Sequence, residues 1–205
     1  GYLIFVAEVA STCNESLLMH YMLEHCEDEN ERKYLMTHFL DGFRTTLFRQ
    51  AQFAEFEHIA HRKMQKGEPV TKDVLNELWH ELNVQYYGPD MCVDDEISYE
   101  WMRIPHFYTP YYVYQYSTGY SAAVAFSKKI LEEGKPAVDK YIGNFLCGGC
   151  SKNPIELLKS AGVDMSTPKP VDDALNVFED YLKQFEAATK SVSYTHLTLP
   201  TNSLV

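Results

Sequence analysis

Glu8 stands in an apolar run, Phe5-Val6-Ala7-Glu8-Val9-Ala10, and the first Lys or Arg of the chain is Arg32. No basic side chain one turn away can therefore pair with it. An ionised carboxylate buried without a partner is costly, so this one should meet a metal, a distant Arg or Lys, or a hydrogen-bond network, or else keep its proton. A helix with one wet face satisfies the same pattern, because most glutamates are solvated. Glu15 lies seven residues on, two helical turns away, so both carboxylates share one side of the helix with Ser11 and Thr12.

A second group follows His106. Tyr108, Tyr111, Tyr112, Tyr114, Tyr116 and Tyr120 are six of the chain's 15 tyrosines. A phenol is a neutral donor up to pH ~10, and a line of them can hold a peptide carbonyl and the oxyanion that forms when water attacks it. The competing reading is an aromatic face packed as core. Cys147-Gly148-Gly149-Cys150 has the spacing of redox and metal motifs. It lacks the preceding strand of a thioredoxin-like site and the second pair of a zinc knuckle, so a dithiol redox protein is the weaker alternative.

The elements that must carry these groups read as helices. Apolar positions recur at three- to four-residue steps from Phe5 to Cys26 and from about Glu31 to Gln65, where Gly67-Glu68-Pro69 stops the pattern. Thr71 starts another helix. Tyr87 to Pro110 reads as an ordered, aromatic-rich loop, the kind of segment that often carries function. Helices return over Tyr111 to Leu131, closing on Gly134, then Val138 to Phe145, Pro154 to Ala161 and Val171 to Thr189. Strand-like alternation is nearly absent, so the fold class is all-α. Residues 1–190 read as part of one domain, and 191–205, rich in Thr, Ser and Leu, as a non-native or disordered tail.

The 205 residues carry 18 Lys+Arg against 29 Asp+Glu, a net charge of −11. That balance excludes a nucleic-acid binder held by phosphate contacts and a basic membrane-surface module. No apolar run reaches the ~18 residues of a membrane span, and no signal-like segment opens the chain, so a cytoplasmic location is expected. The odd number of scattered cysteines reads as reduced thiols. The first helix begins without a Ser, Thr, Asp or Asn cap, and the chain is read as a fragment.

Two stretches resemble a known family. Phe5-Val-Ala-Glu-Val-Ala-Ser-Thr-Cys-Asn-Glu15 is similar to the third-ligand helix of the oligoendopeptidase F group, zinc metallopeptidases of the thimet oligopeptidase family. Ile104-Pro-His-Phe-Tyr-Thr-Pro-Tyr-Tyr-Val-Tyr-Gln-Tyr-Ser-Thr-Gly-Tyr-Ser-Ala-Ala123 is similar to the segment that closes over substrate in that family. The resemblance runs from about Tyr2 to Thr189. It implies Glu8 as a Zn2+ ligand, Glu15 as the residue orienting the zinc-binding histidine helix, and His106 and Tyr114 as donors to the scissile carbonyl and oxyanion. Tyr108 and Tyr111 would contact substrate backbone, with Tyr111 the competitor for the role of Tyr114. It also implies short peptide substrates and a multi-helical zincin-like peptidase domain of which this chain is the C-terminal portion. The family's two histidine ligands lie in a His-Glu-x-x-His motif. No such motif occurs here: His80-Glu81 continues Leu82-Asn83-Val84, and His58 and His61 are spaced differently. The resemblance therefore places the histidines in an N-terminal remainder of the same protein and implies that these 205 residues alone are inactive. A non-catalytic helical peptide-binding module is the alternative.

Overall fold

The computed structural model describes residues 3–190, and the expected tail from Ser191 lies outside them. Among the described residues every regular element is helical. Eight α-helices follow in order: α1 (Ile4–His25), α2 (Glu29–Gly42), α3 (Arg49–Gln65), α4 (Lys72–Tyr87), α5 (Tyr114–Glu133), α6 (Lys135–Lys140), α7 (Pro154–Ser160) and α8 (Lys169–Lys190).

Local chemistry sets several of these boundaries. The Asp28 carboxylate accepts hydrogen bonds from the N–H groups of Asn30 (2.9 Å) and Glu31 (2.8 Å) and starts α2. Thr71 Oγ1 accepts from the Val74 N–H and starts α4. Gly88 and Gly134, at φ 78° and 65°, end α4 and α5 in backbone conformations that side chains resist. Removing the α2 cap by Asp28→Ala should cost about 1 kcal/mol, a fall in Tm of roughly 2–4 °C for a domain of this size; a thermal melt checks it.

The long helix expected from Glu31 to Gln65 is interrupted by a π-helical segment, Phe43–Phe48, between α2 and α3. A second π-helical segment, Tyr141–Leu146, continues α6. At the first of these, Gly42 lets α5 come close: a Cβ at this position would stand 2.8 Å from the Tyr120 hydroxyl. The expected loop from Tyr87 to Pro110 contains two 3-10 helical segments, Asp95–Arg103 and Pro105–Tyr108.

Helix α5 is the axis of the fold. Its residues Ser121 through Ser127 are all buried, and the small side chains of Gly119, Ala122, Ala123 and Ala125 let neighbours pack closely on more than one side. Val6, Val9 and Cys13 of α1 join α5's Phe126 and the Tyr141, Phe145 and Leu157 side chains in one core. Phe39, Phe43 and Leu47 pack with Val124 of α5 and Ala174 of α8 in another. A third core lies between α3 and α4, where Phe53 and Phe56 meet Leu78, Trp79 and Leu82, together with Ile104 and Val113.

Candidate functional site

That third core is the platform for the His106 segment. Ile104 and Val113 are buried in it, and the Phe107 ring lies 5.8 Å from Phe53, 5.3 Å from Phe56 and 6.0 Å from Trp79. Three apolar anchors thus hold the chain down while the residues between them face outward. His106, Tyr108 and Tyr111 are exposed, Tyr108 at 85%.

Tyr111 is the one described non-glycine residue with positive φ, at 55°. An L-residue pays about 1–2 kcal/mol for this conformation, so something must compensate. The Glu57 carboxylate of α3 does: it is buried, and its Oε1 accepts the Tyr111 N–H at 2.7 Å. The Tyr111 ring stacks on His61, with centroids 5.0 Å apart. Glu57→Ala should destabilise the fold by roughly 1–3 kcal/mol, since it leaves a part-buried N–H without its acceptor. Glu57→Gln keeps an acceptor and should recover most of that loss in urea unfolding.

The strained Tyr111 delays the helix. Sequence periodicity puts its start at Tyr111, whereas α5 begins at Tyr114. Tyr112 therefore lies before the helix, and His106 meets Tyr112 and Tyr116. The His106 ring stacks on Tyr112 at 8° between planes and 6.0 Å between centroids, and meets Tyr116 edge-on at 5.8 Å. Its Nε2 is 3.5 Å from the Tyr116 hydroxyl, which donates to the Tyr112 hydroxyl at 3.4 Å. Neither tyrosine was singled out by the sequence for contact with His106; their four-residue spacing was the available signal. Tyr114 is 49% exposed, and its side chain makes no hydrogen bond or ring contact with the described residues.

Helix α1 crosses α5 next to this cluster, with Phe5 and Val9, on either side of Glu8, against Gly119. The Glu8 charge is felt at the Tyr116 hydroxyl, whose pKa is pushed up to about 12 by the hydrogen bond with Tyr112, by partial burial, and by the Tyr112 and Glu8 charges. The Tyr116 hydroxyl thus keeps its proton through neutral and mildly alkaline pH. Phe5, one turn before Glu8 on α1, lies 3.4 Å from where a Cβ on Gly119 of α5 would stand. This glycine permits the close crossing of the two helices. Glu8 is exposed and forms no ion pair among the described residues. Glu15, also exposed, lines a small cavity of about 150 Å³ with His38, Gly42 and Tyr120. Burial of the Tyr120 phenol, with a smaller effect from the Glu15 charge, pushes its pKa up.

The structure brings together His106, Tyr112 and Tyr116, and the Glu8 charge adds a small effect at the Tyr116 hydroxyl. Tyr108, Tyr111 and Tyr114 lie nearby in sequence with solvent-facing rings, and Glu15 sits two turns along α1. Among the described residues no three His, Cys, Asp or Glu side chains converge as a metal site. One unpaired carboxylate beside neutral phenols fits a single oxygen ligand of a site completed by other groups. No described helix is long and apolar enough to cross a membrane.

Comparison with known proteins matches residues 1–177 to Peptidase family M3. The chain is 57% identical over 186 residues to Oligopeptidase PepF of Bacillus subtilis, covering 91% of this chain and 28% of that protein. It is 44% identical over 185 residues to Group B oligopeptidase PepB of Streptococcus agalactiae, covering 90% of this chain and 31% of the relative. The crystal structure of oligoendopeptidase-F from Enterococcus faecium superposes with a TM-score of 0.88 at 47% identity, over 93% of this chain and 36% of that one. The chain thus spans about a third of the length of the relatives it matches. With its helical fold and the family match across most of its length, this chain belongs to Peptidase family M3.

Proposed function

We propose that residues 1–190 are the C-terminal part of the catalytic domain of a zinc-dependent oligopeptidase, and that they supply one wall of its active site. The observation that carries this reading is the close crossing of α1, which carries Glu8, on α5 at Gly119, three residues after Tyr116 of the His106–Tyr112–Tyr116 cluster, in a chain that belongs to a peptidase family.

Glu8 would hold the metal with two histidines contributed by the rest of the protein. The carboxylate is exposed, unpaired and a hard oxygen donor, as a zinc ligand needs to be. The chemistry such an ion supplies when bound is polarisation of a carbonyl and activation of water. Glu15 would orient the histidine-bearing helix, acting through hydrogen bonds rather than on the metal.

The chain's own residues bind and orient the peptide. His106 and Tyr114 donate hydrogen bonds to the scissile carbonyl and to the charge that develops on its oxygen. Tyr112, stacked on the imidazole, and Tyr116, edge-on to it, hold the ring, so it does not have to be ordered at the moment of reaction. Tyr108 and Tyr111, both exposed, contact the substrate backbone. Glu57 holds the Tyr111 backbone N–H, which makes this residue a rigid contact, and its phenol is the competitor of Tyr114 for the oxyanion.

Short peptides are the proposed substrates, because the names of the relatives specify oligopeptides. The exposed apolar side chains of α1, Ile4, Leu18 and Tyr21, suit packing against the N-terminal remainder of the protein. The proposed setting is the cytoplasm, with no nucleic-acid or membrane partner. The test is hydrolysis by the full protein of a series of peptides of increasing length, with and without a chelator. Cleavage of short peptides that stops with the chelator and returns with zinc is expected. Hydrolysis that continues unchanged in the chelator contradicts the reading.

A further inference from the structure

The CxxC loop is outside the proposed catalytic cluster and has a geometry of its own. Cys147 and Cys150 are both free and exposed. Cys147 follows the π-helical segment Tyr141–Leu146, and its N–H donates to the Ile142 carbonyl at 2.9 Å. Two successive turns come next: the Gly148 N–H donates to the Phe145 carbonyl at 3.1 Å, and the Ser151 N–H donates to the Gly148 carbonyl at 3.0 Å. Turning at Gly148 shortens the path between the two cysteines below the roughly 10 Å that three extended residues span. That brings it toward the about 4.4–6.8 Å that a disulfide bridges.

The two glycines between the thiols do different things. Gly148 is clamped: a Cβ there would stand 2.4 Å from the Asn144 carbonyl oxygen and 2.5 Å from Leu157 Cδ1. Gly149 is free, with φ at 53° and nothing within 4 Å of its Cβ position. The Cys147 side of the loop is therefore docked on the core, while Gly149 can swing Cys150 with no side chain in the way.

We propose that Cys147 and Cys150 are a redox-active dithiol that closes to an intraloop disulfide by exchange with a low-molecular-weight disulfide. In the first step one cysteine thiolate attacks a sulfur of the small disulfide, forming a mixed disulfide and releasing one small thiol. The second cysteine thiolate then attacks the protein sulfur of that mixed disulfide. The Cys147–Cys150 bond forms and a second small thiol leaves. Two electrons and two protons pass from the dithiol to the small disulfide, which ends as two thiols.

The other cysteines are poorly placed to compete for this bond. Cys13 is buried, and burial pushes its thiol up to about 11. The Cys26 thiol is also raised, by desolvation and by the Glu31 charge, and donates to the Asp28 carbonyl. Cys92 is exposed but has no second cysteine in its segment. The bond has a structural reach beyond the loop. Phe145 and Leu157, on either side of it, pack in the same core as Val6, Val9 and Cys13 of α1, the helix that carries Glu8.

The experiment exposes the full protein to glutathione disulfide, blocks remaining thiols by alkylation and digests with trypsin. The peptide Tyr141–Lys152 contains both cysteines and no other. It should appear unalkylated and lighter by two hydrogens, and dithiothreitol should restore both thiols. Because the second thiol attacks at an effective concentration of about millimolar or higher, the closed peptide should exceed the mixed disulfide by roughly a hundredfold or more while the released small thiol stays at about micromolar. Cys147→Ser should instead leave one stable glutathione adduct on Cys150. Recovery of the wild-type peptide with both cysteines alkylated, with glutathione as the dominant adduct, or with either cysteine bonded to another chain would overturn the proposal.

Discussion

Glu8→Ala in the full protein is expected to lower kcat/KM for peptide hydrolysis by at least about a thousandfold, with a matching loss of bound zinc. The magnitude follows from the role. A metal that polarises the scissile carbonyl contributes several kcal/mol to the transition state, and each 1.36 kcal/mol is a factor of about ten in rate. In the proposed role, Glu8 would be one of three protein ligands, and its removal would weaken metal binding directly and leave a bound ion poorly placed. The fold should tolerate the change, because Glu8 is exposed and forms no ion pair among the described residues. An unchanged thermal melt, beside the loss of activity, would separate a ligand from a structural residue. Kinetics on a quenched peptide together with metal analysis of the dialysed protein check both halves.

His106→Ala should lower kcat by about 10²–10³-fold while zinc stays bound, the usual cost of removing one donor to an oxyanion. Tyr114→Phe should produce a loss of the same order, since it deletes a hydroxyl that is free to meet substrate. Tyr116→Phe keeps the edge-on ring against His106 and removes the 3.5 Å hydroxyl contact with the imidazole and the 3.4 Å hydrogen bond to Tyr112, so its effect should be smaller, about tenfold. The order of the two tyrosine effects distinguishes a donor to substrate from a residue that positions the imidazole. Parallel kcat and KM values for the three variants, with metal content measured on each, decide it.

Much of the helical framework was legible because it is written in local chemistry. Asp28 and Thr71 cap, Gly134 terminates, and apolar residues recur at the helical period; none of these depends on distant contacts. The π-helical segments were not legible. The segment after Gly42 coincides with the close approach of Tyr120 from α5, a tertiary event that periodicity within α2 and α3 does not record.

The candidate site shows the same division. His106 and the tyrosine ladder stand out by composition, and Glu8 by the absence of a nearby cation. Which tyrosines touch His106 depends on where α5 begins. That point is set by the positive φ of Tyr111 and by Glu57, 54 residues earlier in the chain. In the sequence nothing separates Glu57 from the other acidic residues of its helix, and only the fold shows its carboxylate turned inward to a backbone N–H. The convergence of α1 on the ladder was equally hidden, since it rests on the small residues of α5 that admit Phe5 and Val9.

The most direct measurement is anomalous diffraction at the zinc edge on crystals of the full protein. A peak within about 2.0–2.2 Å of a Glu8 carboxylate oxygen, on the side facing His106 and Tyr116, is the expected result. A zinc peak whose protein ligands do not include Glu8 would contradict the assignment of this chain as a wall of the metal site.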